Sequence, residues 1–133
     1  MPTTNSAQIS LRITEVLLEY EQPLIGAAQG PDGTTFIAVA YGPDREDGAQ
    51  DFVFVCADQQ QVADFISGRI DLLALMKASS APFYLGAGYG GADTTITGRA
   101  VDSIPEAAKP TSGLVLPPEV VHVLSTRYSA LPA

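Results

Sequence analysis

Apolar and polar residues alternate in short runs along most of the chain, and the pattern changes to helical spacing mainly in one stretch. Ile9, Leu11 and Ile13 alternate with Ser10, Arg12 and Thr14, the period of a strand with one buried face. Val16 to Tyr20 carries the apolar pattern on. A helix from Thr14 competes with this reading, but Pro23 and the flanking alternation favour extended chain. Leu24 to Ala28 is a short strand of small residues, and Thr35 to Tyr41 is another strand. Between them, Gly30-Pro31-Asp32-Gly33 has turn chemistry: glycine supplies positive φ, proline fixes φ, and aspartate bonds its own backbone. The two strands read as a hairpin.

The rest of the chain is organised around Asp51 to Ala78. Phe52 to Cys56 is an unbroken apolar run, too short for a helix and rich in aromatic and β-branched residues, which predicts a strand covered on both faces. Asp58 and Gln61 have the spacing of a capping box, and Val62, Phe65 and Ile66 then share one helical face. Gly68 is placed to end that helix. Asp71 caps a second one, with Ile70 set to staple against Leu75. Leu72, Leu73, Leu75 and Met76 leave this second helix apolar over more than half its circumference. Helices this short are marginal alone, so packing on the sheet must hold them.

Beyond the helices, Pro82 to Ala87 and Thr94 to Val101 read as a second hairpin with a flexible glycine-rich tip. Ser103 to Pro118 carries four prolines and is expected to run extended. Glu119 to Tyr128 reads as a helix with Val120, Leu124 and Tyr128 on one face; its β-branched valines keep a strand open as the alternative. The expected fold class is α+β: a mostly antiparallel sheet of five or six strands, with room to curl into an SH3-like barrel, two short inserted helices, and a C-terminal helix or strand. Residues 1–8 read as a disordered N-terminus, 9–118 as a single domain and 119–133 as a tail.

Composition narrows the function. A formal charge of −8 argues against general nucleic-acid or anionic-membrane binding, because phosphate contacts need clustered Lys and Arg. No apolar run is long enough for a transmembrane helix, and MPTTNSAQ has neither the basic nor the apolar region of a secretory signal. The single cysteine excludes an internal disulfide, and the expected compartment is the cytoplasm.

YEQPLIGAAQGPDGTTFIAVAY, the apolar strand, VADFISGRIDLLALM and SIPEAAKPTSGLVL together resemble the uncharacterised bacterial group DUF6575, over residues Thr14 to Leu116. The shared motifs are turns, caps and core positions, so the resemblance implies a fold and no functional residue. Lys109-Pro110-Thr111-Ser112-Gly113 departs from the acidic wording usual in that group, and the tail after Pro117 is extra.

Candidate chemistry is sparse. Cys56 and His122 are the only soft metal ligands, too few for a site, and Cys56 sits in an apolar strand where a buried, inert thiol is expected. Asp44-Arg45-Glu46-Asp47-Gly48 starts like a calcium loop, but its twelfth position is Val55 rather than glutamate. Gly86 to Gly91 precedes a strand rather than a helix, so it is not a phosphate cradle. No nucleophile elbow is present. Glu15, Glu19 and Glu21 are expected to face water.

The expected function is a non-enzymatic interaction factor: a small acidic inhibitor, immunity or regulatory protein without cofactor or metal. Its expected partner is an unknown protein, basic if the acidic loop recognises it, and the chain itself is expected to form a homodimer. The expected contact residues are Asp44, Glu46, Asp47 and Asp51 in the loop and Val120, Leu124 and Tyr128 in the tail. The alternative is a small-molecule binder using Tyr84, Gly88 and Tyr89; an enzyme of unrecognised type stands third. The helical phase is directly testable. Phe65→Ala is expected to cost about 3–5 kcal/mol, whereas Gln60→Ala, off the apolar stripe, is expected to cost under about 0.5 kcal/mol. Equal urea midpoints for the two variants would show the phase to be wrong.

Overall fold

The computed structural model describes residues 8–20, 22–43, 45–79, 82–110, 114 and 116. The tail beyond Leu116, with its expected helix, lies outside them, and so do residues 1–7. Six strands are present: β1 (Gln8–Tyr20), β2 (Gln22–Gln29), β3 (Thr35–Tyr41), β4 (Gln50–Cys56), β5 (Phe83–Gly88) and β6 (Thr95–Val101). Each pairs antiparallel with the next, and β6 pairs back onto β1, so the sheet closes into an up-and-down barrel. Two helices, α1 (Gln59–Ile66) and α2 (Leu72–Ala78), connect β4 to β5. This is the expected α+β fold, an antiparallel sheet curled into a barrel with two short inserted helices. Closure removes the open-sheet edges from which self-association is expected. The dimer expectation then rests on the tail, outside the described residues. Among the described residues no helix is long and apolar enough to cross a membrane.

The core has two compartments, and β4 divides them. Phe52 and Phe54 point into the barrel, where they meet Leu11, Ile13, Ala28, Phe36, Ala38 and Ile96. Val53 and Val55 point outward and are covered by Val62, Phe65, Ile66, Leu72, Leu75 and Met76 of the helices. All four β4 residues are buried, as the unbroken run requires. Where the start of β1 pairs with β6 the outer face is polar instead, with Ser10, Arg12, Thr95, Thr97 and Arg99 exposed.

Local chemistry explains the element ends. Asp58 accepts from Gln61 N at 2.7 Å while the Gln61 side chain accepts from Asp58 N at 2.9 Å, completing the capping box. Gly68 takes φ +82° and lets the chain turn after α1. Asp71 accepts from Ala74 N at 2.7 Å, and the first amide of α2, Leu72 N, donates to Leu114 O at 2.9 Å. In β1, register shifts between Ile13 and Glu15 and between Val16 and Leu18 insert extra residues. They move Leu17 to the outer compartment although it continues the odd-numbered series of Leu11 and Ile13. The proline-rich stretch after β6 is not extended throughout: Glu106–Ala108 forms a 3-10 turn that buries Ala108 against the outer core.

The glycines of β5 and β6 correct a further expectation. They are not simply a flexible tip. A Cβ at Gly86 would stand 2.5 Å from Thr97 O, one at Gly88 2.8 Å from Ile96 Cγ1, and one at Gly98 2.7 Å from Leu11 Cδ1. Neighbouring strands, by backbone at Gly86 and by side chains at Gly88 and Gly98, come so close that only glycine fits. Gly86→Ala is therefore expected to destabilise the fold by about 1–3 kcal/mol in urea unfolding. Gly91→Ala, with nothing within 4 Å of the added methyl, is expected to leave the midpoint within experimental scatter. Indistinguishable midpoints would contradict the close approach.

Candidate functional site: a groove at the mouth of the barrel

The rows of side chains that fill the barrel run out at one end, and an open groove of about 710 Å³ begins there. Its floor is made by the last inward residues of four strands: Ile9 of β1, Phe36 of β3, Cys56 of β4 and Tyr84 of β5. Cys56 pairs with Phe36 across the β3–β4 ladder, and the Phe36 and Tyr84 rings meet edge to face with centroids 5.7 Å apart and planes at 86°. One wall is the β2–β3 turn, contributing Pro31, Asp32 and Thr34. The other is helical, with Gln61 of α1 and Ala78 and Ser79 at the end of α2, followed by Pro82.

Cys56 is exposed, which corrects the expectation of a buried thiol. Its neighbours are apolar, but in a strand the face and the distance from the end decide burial. Cys56 follows Phe52 and Phe54 on the inward row and reaches the rim, where no further layer covers it.

The polar groups of the walls are committed to the scaffold. Asp32 Oδ1 accepts from Thr34 N at 3.0 Å across the turn, and Gly33 takes φ +86° beside it. The Thr34 side chain and then the Thr34 N–H hold the Asp32 carboxyl below the usual carboxylate range, so it stays ionised. The Ser79 hydroxyl is shared between the carbonyls of Cys56, at 2.7 Å, and Leu75, at 3.0 Å, tying the end of α2 to the end of β4.

The sequence-predicted site residues fall elsewhere or divide. Tyr84 lines the groove, but Tyr89 does not join it. The two lie five residues apart, an odd spacing that sends side chains to opposite faces and separates them by about 17 Å along an extended chain. Tyr89 instead donates its hydroxyl to Asp47 O at 2.9 Å, over the acidic loop. Gly88 faces Ile96 inside the barrel.

In the acidic loop, Arg45 Nε and Nη2 donate to Asp51 Oδ1 at 3.1 and 2.6 Å. Asp47 Oδ1 accepts from Ala49 N at 3.0 Å, and Gly48, at φ +85°, donates to Arg45 O at 2.9 Å. Glu46 and Asp47 are exposed and Asp51 is half-buried. The loop is a structured turn whose charges largely serve itself. Asp44, Val120, Leu124, Tyr128 and His122 lie outside the described residues. Among the described residues, no group of three or more His, Cys, Asp or Glu is placed to hold a metal ion.

Sequence reasoning missed Ile9, Phe36 and Asp32 as site residues. Ile9 and Phe36 carry the alternation of ordinary core positions, and only closure of the barrel brings them to a shared rim. Comparison of the chain with family models, with curated proteins and with solved structures gave no match.

An exposed Cys56 has a direct consequence. A chromogenic disulfide is expected to label one thiol per chain in the native protein without denaturant, and Cys56→Ser is expected to abolish the signal. Labelling that begins only at the unfolding midpoint would contradict the position of Cys56 on the rim.

Proposed function

We propose that this domain is a non-enzymatic binding module and that its ligand is a small molecule with an apolar body, seated in the groove at the barrel mouth. The observation that carries this reading is the groove itself. Its volume lies in the range usual for small-molecule sites, and its floor is apolar and aromatic with few polar groups around it. The polar groups on its walls favour binding over catalysis. The Ser79 hydroxyl is turned to backbone carbonyls, and Asp32 is held as a carboxylate by its own turn. A role for the acidic loop in recognising a basic protein finds less support, because Arg45 already neutralises Asp51 and Asp47 caps its own turn. The reading takes the chain as a relative of DUF6575, on motifs that bring no functional residue with them.

The test uses a neutral aromatic probe, naphthylmethanol, titrated into the full chain while backbone amide resonances are followed. Shifts are expected at Ile9, Phe36, Cys56, Ala78 and Tyr84. Ala78→Trp is expected to abolish them, because Ala78 is exposed at the end of α2 and a large ring there fills the groove without disturbing the core. Shifts confined to Glu46, Asp47 and Tyr89, or unaffected by Ala78→Trp, would place binding elsewhere.

A further inference from the structure

The groove has a charge of one sign and an apolar floor, and the two meet at a single spot. An ideal Cβ on Gly30 would lie 3.3 Å from Phe36 Cε1, 3.6 Å from Asp32 Oδ1 and 3.8 Å from Ile9 Cδ1. A carboxylate oxygen, a ring-edge carbon and an alkyl group of the groove lining therefore lie close together around Gly30, which itself lines a neighbouring groove with Arg12. Among the described lining residues Asp32 is the only acid, and none is Lys or Arg. Lys77 and Lys109 line a second groove that shares Ser79 with this one, and Arg12, in a third that shares Pro31, is paired with Asp93. The chain as a whole carries −8, so the long-range field favours the same sign of ligand.

We infer that the groove takes a small aromatic or alicyclic amine in its protonated form. The ring lies against Ile9, Phe36 and Tyr84, and the ammonium reaches Asp32 at the rim. The inference rests on the groove being the binding site, as proposed above. It adds the charge of the ligand and the residue that reads it. A carboxylate or phosphate ligand of the same shape meets the Asp32 charge with no compensating donor side chain. The amine gains a charge-assisted contact whose partner is already ionised and already held in place by the Thr34 N–H.

Three probes with one ring test this: naphthylmethylamine, naphthylmethanol and naphthylacetate, titrated into the full chain at low and at high salt. The amine is expected to bind about two- to fivefold more tightly than the alcohol at low salt, the advantage of an exposed ion pair, and to lose most of that margin at high salt. The acetate is expected to bind more weakly than the alcohol. Asp32→Asn keeps an oxygen to accept from Thr34 N and is expected to bring amine and alcohol to equal affinity. Equal binding of amine and acetate to the native protein overturns the charge assignment while the groove stands as the site. An amine preference that survives Asp32→Asn overturns the role of Asp32. Failure of all three probes to shift groove resonances overturns the inference and the binding site together.

Discussion

The burial of β4 on both faces is the constraint on which the rest of the structure depends. A strand of the sequence FVFV has no polar side to offer water, so it needs a cover in each direction. One cover is the curled sheet itself, which wraps around Phe52 and Phe54. The other is the helical pair, which lies over Val53 and Val55. The helices follow directly from β4 in sequence and are too short to persist alone, so strand and helices stabilise each other. Removing either cover would expose a contiguous apolar surface of the kind soluble domains avoid.

Filling a six-stranded barrel with phenylalanines leaves little width for anything else. Phe52 and Phe54 stand side by side with ring centroids 6.2 Å apart, and Phe36 adds a third ring toward the mouth. At Gly86, Gly88 and Gly98 the space a Cβ would take is already filled from adjacent strands, by Ile96 and the Thr97 carbonyl at the first, Ile96 at the second, and Leu11 and Tyr84 at the third. Ile96 is the large residue that fits between them, fully buried and touched by the space that both Gly86 and Gly88 leave.

Much of this was legible along the chain, and the part that was not has a physical reason. Strand and helix identities were readable because they depend on neighbours within a few residues. The alternation of Ile9, Leu11 and Ile13, the Asp58–Gln61 capping box and the Gly30–Gly33 turn are local statements, and each has its counterpart in the fold. Closure was readable only as room to curl into a barrel, because it is a pairing of Gln8–Arg12 with Thr95–Arg99 that no local pattern records. The errors lie where closure decides the surroundings of a residue. Cys56 looked buried because its neighbours are apolar, whereas its exposure depends on where the inward rows end. The glycines looked like a loose tip because the groups they make room for lie on the neighbouring strands β1, β5 and β6. Tyr84 and Tyr89 looked like one site because they are close in sequence, and their odd separation on a strand divides them.

The same closure that hides the barrel interior makes the groove. A row of inward side chains cannot be covered beyond the last rung of the ladder, so its terminal members are left at a rim, and here they are apolar: Ile9, Phe36, Cys56 and Tyr84. What turns an uncovered rim into a shaped site is the order of its walls. Gln61 is fixed by the capping box of α1, Ser79 by the carbonyls at the ends of β4 and α2, and Asp32 by the turn between β2 and β3. Each of these bonds exists for the sake of an element's end, and each holds a groove wall in place before any ligand arrives. On the proposed reading, a ligand entering the groove has little ordering of the walls to offset, because those bonds are already made without it.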